Sequence, residues 1–165
     1  MTEDATVDGD DRWTRIEALY RAEQATMVRL AHLLTRDRAV AEEVVQEAFV
    51  RVHARLDDVD DPGAYLRTTV VNLCRGRDRR EVTAERYGRS LGPPPTTPAP
   101  RVPRELDEVW QALGRLPRRR RDALVLRYYA DLPTAEVARL LGARPATARS
   151  LIRRGLASLE RELAP

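Results

Sequence analysis

The chain has 165 residues, 29 basic against 26 acidic for a formal charge of +3, with 42% hydrophobic and only 5% aromatic residues. That length holds one ordinary domain or two small ones. So few aromatics, with no β-branched runs at period two, exclude a sheet-built core and favour helices packed through Leu, Val and Ala. The single cysteine, Cys74, excludes an internal disulfide and a thiolate metal set.

All the basic residues are arginine. Arginine's planar fork suits phosphates and guanine edges, although a base composition favouring arginine and alanine codons accounts for most of the bias. The start of the chain is acidic and polar, without a basic-then-apolar signal pattern, and no apolar run is long enough to span a membrane. A cytoplasmic protein without membrane insertion is expected.

Residues 1–11 read as a disordered acidic tail. Trp13, Ile16, Leu19, Tyr20, Met27, Leu30 and Leu34 then keep helical spacing and predict a helix over 12–35. Asp37 is a plausible cap for a second helix over 38–56. There Val40, Ala41, Val44, Val45, Ala48, Val52 and Leu56 form the apolar stripe, and Glu43, Gln46, Glu47 and Val50 fall opposite. After a short acidic loop over 57–63, Pro62 suits the first position of a third helix. That helix carries Tyr65, Leu66, Thr69, Val70, Asn72 and Leu73 into the basic run at 75–80, with Cys74 as a half-buried filler and a weaker helical tail reaching Tyr87. Gly76 interrupts the basic run at a cost of roughly 1 kcal/mol against alanine. His32 and His53 lie on different helices without a matching carboxylate pattern, so no metal site and no cofactor are expected.

Residues 88–103 contain five prolines within Gly92–Pro100 and almost nothing to bury, which predicts a stiff, extended linker. If it only tethers two folded domains, proteolysis should cut there first. Leu106, Val109, Trp110 and Leu113 then mark a short amphipathic helix, and Leu116-Pro117 starts another over 118–130 whose buried face is expected from Leu124, Val125, Tyr128 and Tyr129. Arg118 to Arg121 stand at its N-terminus, where positive charge opposes the helix dipole. Phosphate or acidic-partner contact and a solvated basic patch explain that run equally well.

A helix-turn-helix pattern closes the chain. Thr134 is placed to cap the first helix, Val137, Ala138 and Leu141 face inward, and Gly142 sits at the turn. Pro145 starts the second helix, whose buried stripe is expected from Ala148, Ile152, Leu156, Leu159 and Leu163. Thr147, Arg149, Ser150, Arg153 and Arg154 occupy its other face, where a recognition helix reaches base edges in the major groove.

Two separate motifs in this chain resemble one family. Glu43-Val44-Val45-Gln46-Glu47-Ala48-Phe49, followed by Ala64-Tyr65-Leu66-Arg67 and Val71-Asn72, is similar to region 2 of the extracytoplasmic-function (ECF) sigma factors, the smallest class of the sigma-70 family. Leu116-Pro117, the run from Ala123 to Tyr129, Leu132 to Ala138, Leu141-Gly142 and Thr147 to Ser150 resemble region 4. The resemblance implies an all-α fold of two small domains, a three-helix region 2 over 12–87 and a helix-turn-helix region 4 over 104–165, joined by the Pro-rich linker. It implies that core RNA polymerase is the partner, through its clamp and flap, with promoter DNA and an anti-sigma factor as further candidates. By the same resemblance Glu43, Gln46, Glu47 and Phe49 meet the clamp, Tyr65, Arg67, Asn72, Arg75 and Arg79 engage the −10 region, and Thr147, Arg149, Ser150, Arg153 and Arg154 read the −35 element. The acidic loop departs from the family's base-pocketing loop. Leu151 stands where many relatives carry a basic residue.

The alternative is an autonomous helix-turn-helix regulator whose N-terminal domain senses a ligand or dimerises. An enzyme built on Glu42, Glu43 and Glu47 is disfavoured, since neighbouring carboxylates on one helix are usually solvated and no nucleophile, phosphate loop or metal set accompanies them.

Overall fold

A computed structural model describes residues 4–86 and 104–164, with side chains over 11–77 and 108–164. The described residues are helices and short connections, and the chain divides between Thr97 and Pro98 into two units. The linker expected over 88–103, and Tyr87 before it, lie outside the described residues.

In the first unit, α1 (Asp4–Thr35), α2 (Arg38–Ala54) and α3 (Pro62–Arg86) pack mutually. Their core is Met27, Leu30, Leu34, Val44, Val45, Ala48, Val52, Leu56, Leu66, Val70, Val71 and Cys74. Cys74 is fully buried, not half-buried as its sequence context suggested. The stripe read from α2 is the face it buries, with Val40 alone half-exposed at its edge. Asp37 caps α2 as expected, its Oδ1 accepting from the Val40 amide at 3.0 Å.

Where a tail was expected at 1–11, the helix runs back to Asp4. The physical reason lies two turns further on. Arg12 and Arg15 bind Asp57 at 3.2 and 2.9 Å and reach the carbonyls of His53 and Leu56 at the end of α2. A helix anchored there has already met its nucleation cost, and each added residue contributes a backbone bond.

The acidic loop is built into these helices. Asp57 holds the two α1 arginines, and Asp61 Oδ1 accepts from the Ala64 amide at 2.9 Å to cap α3, with Pro62 in the first turn. Gly76 does not break α3, and a methyl group there would meet nothing within 4 Å.

In the second unit, α4 (Arg104–Arg115) packs on the last helix, and α5 (Arg118–Leu124) leads into a π-helical turn at Val125–Tyr129. The helix expected to run evenly over 118–130 therefore changes pitch at Val125. The Ala130 amide bonds to the Val125 carbonyl at 2.9 Å, an i→i+5 bond that adds one residue to the turn and rotates the residues beyond it. Tyr128, expected in the core, is consequently 58% exposed with the Arg127 guanidinium over its ring at 5.4 Å, and Tyr129 is only half-buried. Leu124 and Val125 are buried as expected, and Ala123 and Leu126 complete the buried face in place of the tyrosines.

The basic run at the start of α5 is partly exposed, but its members are bound within the unit. Arg119 donates to the Leu141 carbonyl at 3.2 Å and Arg120 to Ser158 Oγ at 3.0 Å. Arg121 and Asp122 are both buried, with Arg118 3.7 Å from the Asp122 carboxylate. Arg119 and Arg120 fasten α5 to the helix-turn-helix, against an unfavourable dipole term of a few tenths of a kcal/mol to about 1 kcal/mol.

The helix-turn-helix consists of α6 (Thr134–Leu140) and α7 (Pro145–Leu163). Thr134 is the first helical residue rather than its cap. Pro133 precedes the helix, and no side chain caps it. Gly142 adopts φ 58°, a left-handed conformation that suits glycine. The Gly142 amide bonds to the Arg139 carbonyl and the Ala143 amide to the Ala138 carbonyl, closing α6 with a Schellman motif.

α7 buries Ala148, Ile152, Gly155 and Ser158, whereas Leu156 and Leu159 are half-buried and Leu163 is exposed. The expected leucine stripe is thus rotated toward small residues, because α5 comes close. A Cβ on Gly155 would sit 2.9 Å from Leu124 Cγ and 3.2 Å from the Arg120 carbonyl oxygen. Gly155→Ala is therefore expected to destabilise the second unit by about 1–3 kcal/mol through overpacking. Thermal denaturation followed by circular dichroism checks this, and an unchanged transition would mean that Leu124 yields without cost.

Candidate functional site

Three exposed surfaces carry the residues singled out by sequence. On α2, the order Glu43, Gln46, Glu47, Val50 places all four on one face, and the structure leaves Glu43, Gln46 and Val50 exposed and Glu47 partly so. Two of its carboxylates are already engaged. Glu43 forms a two-pronged ion pair with Arg77 of α3, one bond being Arg77 Nη1 to Glu43 Oε2 at 3.0 Å. Glu47 pairs with Arg51 at 2.6 Å. The hydrogen bond from Arg77 holds the Glu43 carboxyl below its ordinary range, and Glu43 in turn raises the arginine.

Phe49 does not share that face. It is 7% exposed, with its ring 4.9 Å from that of Tyr20. It forms the floor of a groove between α1 and α2, of about 520 Å³, lined by Trp13, Ile16, Glu17, Tyr20, Phe49, Val50 and His53. Trp13 and Tyr20, read as members of the α1 stripe, are 65% and 46% exposed along it. His53 stacks near Trp13 at 5.0 Å. His32 is half-buried, and burial followed by Arg36 pushes its pKa down.

On α3, Tyr65, Asn72, Arg75 and Arg79 share one face by helical spacing, and the exposed Thr68 falls among them. Thr68 was not singled out from the sequence, although its spacing from Tyr65 and Asn72 was the available signal. Asn72 is exposed, while Tyr65 and Arg75 are half-buried. Arg67, also half-buried, points off this face. The side chain of Arg79 lies outside the described residues. Arg77 falls on yet another side, above Leu66, Val70 and Leu73, which is why it meets α2.

On α7, Thr147, Arg149, Arg153 and Arg154 are exposed and Ser150 is half-buried. The arginines of this unit fall into two sets. Arg119, Arg120, Arg139 and Arg161 are bound within the unit. Arg149, Arg153 and Arg154 have no hydrogen-bond or ion-pair partner among the described residues, so their forks are available to a ligand. Two neighbours escaped the sequence reading. Arg144, exposed just before α7, and Ala146, exposed in its first turn, extend the same surface. Leu151 is half-buried and set apart from it, as its apolar character suggested. Among the described residues no cluster of His, Cys, Asp and Glu is arranged to hold a metal ion, and no helix is long and apolar enough to cross a membrane.

Comparison with known proteins matches these surfaces to a family. Residues 19–82 match sigma-70 region 2, and residues 106–159 match sigma-70 region 4. The chain is 30% identical over 156 residues to an RNA polymerase sigma-E factor of Streptomyces avermitilis, covering 89% of this chain and 84% of that protein. It is 29% identical over 154 residues to the sigma-E factor of Streptomyces coelicolor, covering 89% and 85%. A probable ECF RNA polymerase sigma factor SigI of Mycobacterium tuberculosis is 32% identical over 152 residues, covering 84% of this chain and 52% of that protein. In fold, the chain resembles the sigma factor RpoE of Bartonella quintana, solved with the anti-sigma factor NepR, with a TM-score of 0.60 and 21% identity over 93% of this chain and 96% of that one. Both regions in the expected order, and relatives at this identity along most of their length, place the chain in the extracytoplasmic-function branch of the sigma-70 family of RNA polymerase sigma factors.

Proposed function

We propose that this protein docks on core RNA polymerase through α2 and directs it to promoters by engaging the −10 region with α3 and reading the −35 element with α7. The observation that carries the reading is the set of unpartnered arginines on the outward face of α7, in a chain that also presents a separate acidic docking face. Glu43, Gln46 and Glu47 meet the polymerase clamp, and Val50 continues that face to the rim of the groove. Phe49 shapes the groove floor rather than making a direct contact. Tyr65, Asn72, Arg75 and Arg79, with Thr68 among them, hold opened single strand by stacking and phosphate contact. Arg67, off this face, contributes only a phosphate contact at its edge. Thr147, Arg149, Ser150, Arg153 and Arg154 reach base edges and phosphates in the major groove. The second unit also meets the polymerase flap.

An anti-sigma factor is a further partner in this reading. It is supported by the structural neighbour RpoE, solved with the anti-sigma factor NepR.

The test is copurification with core polymerase followed by run-off transcription from promoter templates. Transcription that depends on both protein and core supports the reading. A pure protein that shifts promoter DNA equally well without polymerase would overturn it in favour of an autonomous helix-turn-helix regulator.

A further inference from the structure

Glu43 stands on the proposed docking face, yet its carboxylate is held by the same chain. Both prongs of the Arg77 guanidinium bind it, and the pair spans 34 residues to join α2 to α3. Such a fork-to-fork pair occupies both carboxylate oxygens in the geometry that an arginine of a partner would use. On this face only Gln46 has no partner among the described residues, since Glu47 is held by Arg51.

The two pairs differ in kind. Glu47–Arg51 is a within-helix pair at i, i+4, and a partner's cation can approach while Arg51 swings away with little else changing. Arg77 is anchored in the core stripe of α3, with its side chain 28% exposed. Its side chain is less exposed than that of Arg51, at 55%, so displacing it from Glu43 exposes more of its stem to water. Glu43, by contrast, is 63% exposed and open on its outer side.

We infer that Arg77 is an intramolecular competitor for the docking carboxylate of Glu43, an autoinhibitory contact that weakens the association of the free protein with core polymerase. This rests on the proposed docking role of α2. A basic surface that meets Glu43 must either displace Arg77 or share one carboxylate with it at close cationic range. Either course subtracts from docking affinity. Because the pair lies near the surface its strength is modest, so it tunes docking without blocking it. The lowered pKa of Glu43 is consistent with this, since it reports a carboxylate already stabilised by a cation in the free protein.

The experiment measures affinity of the full chain for purified core RNA polymerase across a salt series. Arg77→Gln keeps a long polar stem and removes the cation. It is expected to tighten binding about 2- to 5-fold, the range of one exposed ion pair, and to steepen the salt dependence because a second charge faces the partner. Arg77→Lys, a cation without the fork, should lie between the two. In a Glu43→Gln background, Arg77→Gln should give a clearly smaller gain, because the carboxylate it competes for is gone and only its general repulsion of a basic partner is relieved. Circular dichroism of each variant confirms that the helices persist. A merely structural role predicts weaker binding by Arg77→Gln in both backgrounds. Unchanged or weaker binding by Arg77→Gln, or an equal gain in both backgrounds, overturns this inference alone. Failure of the unaltered protein to bind polymerase overturns the proposed function and this inference together.

Discussion

Replacing Glu43 and Gln46 together with alanine is expected to abolish copurification with core RNA polymerase while leaving the fold intact. Both side chains are exposed, and neither belongs to the stripe that α2 buries. Alanine also favours helix at both positions. The two residues lie one turn apart, so a single basic surface of the proposed clamp partner would meet both. The double variant removes the carboxylate that Arg77 holds and leaves that guanidinium with only the more distant Glu47 to offset it beside the proposed docking face. It therefore adds repulsion as well as removing attraction, and its effect is opposite in sign to that of Arg77→Gln. Pull-down with tagged core, alongside circular dichroism of the free variant, checks the result. Retained binding by a folded double variant would remove α2 from the docking surface.

Arg149→Ala is expected to lower transcription strongly and to relax preference at one or two base pairs of the −35 element. An arginine that donates to both O6 and N7 of guanine contributes roughly 1–3 kcal/mol of discrimination, whereas one that touches only phosphate contributes none and adds to the salt dependence. Arg149 is exposed in the second turn of α7, near the end proposed to enter the groove, and has no internal partner among the described residues. Arg161 differs on both counts. It lies in the last turn, and it donates to the Ala157 carbonyl and to Ser158 Oγ. Arg161→Ala should accordingly change little. Transcription by reconstituted holoenzyme from a library randomised across the −35 element distinguishes the outcomes. A uniform loss across the library would make Arg149 a phosphate contact.

Other arginines show the limit of reading charge from sequence. Arg118 to Arg121 read equally well as a phosphate or acidic-partner contact and as a solvated basic patch, and nothing in the run itself says that part of it binds its own unit. Packing decided it, since Arg119 reaches the Leu141 carbonyl, Arg120 reaches Ser158 and Arg121 is buried. Arg77 looked like one more member of the basic run beside Arg75 and Arg79. Helical spacing sets it on a different side, and the packing of α2 on α3 decides that a carboxylate waits there.

The sequence by itself determined what depends on short-range pattern. The period of apolar residues marked α1, α2 and α3, Asp37 and Pro62 marked the starts of α2 and α3, and Gly142 with Pro145 marked the helix-turn-helix junction. Each of these is set by a residue's own backbone preference or by neighbours within a turn or two. Two motifs in order were likewise enough to place the chain in its family. The tertiary structure decided what depends on contacts across dozens of residues. Arg12 and Arg15, fixed by Asp57, carry α1 back to Asp4. The π-helical turn at Val125 turns Tyr128 out of the core. The approach of Leu124 makes Gly155 and Ser158, rather than Leu156 and Leu163, the inner face of α7. A helical period gives the direction of a side chain to within a fraction of a turn, but which direction is inside depends on where the neighbouring helix lies, and no local window of sequence contains that information.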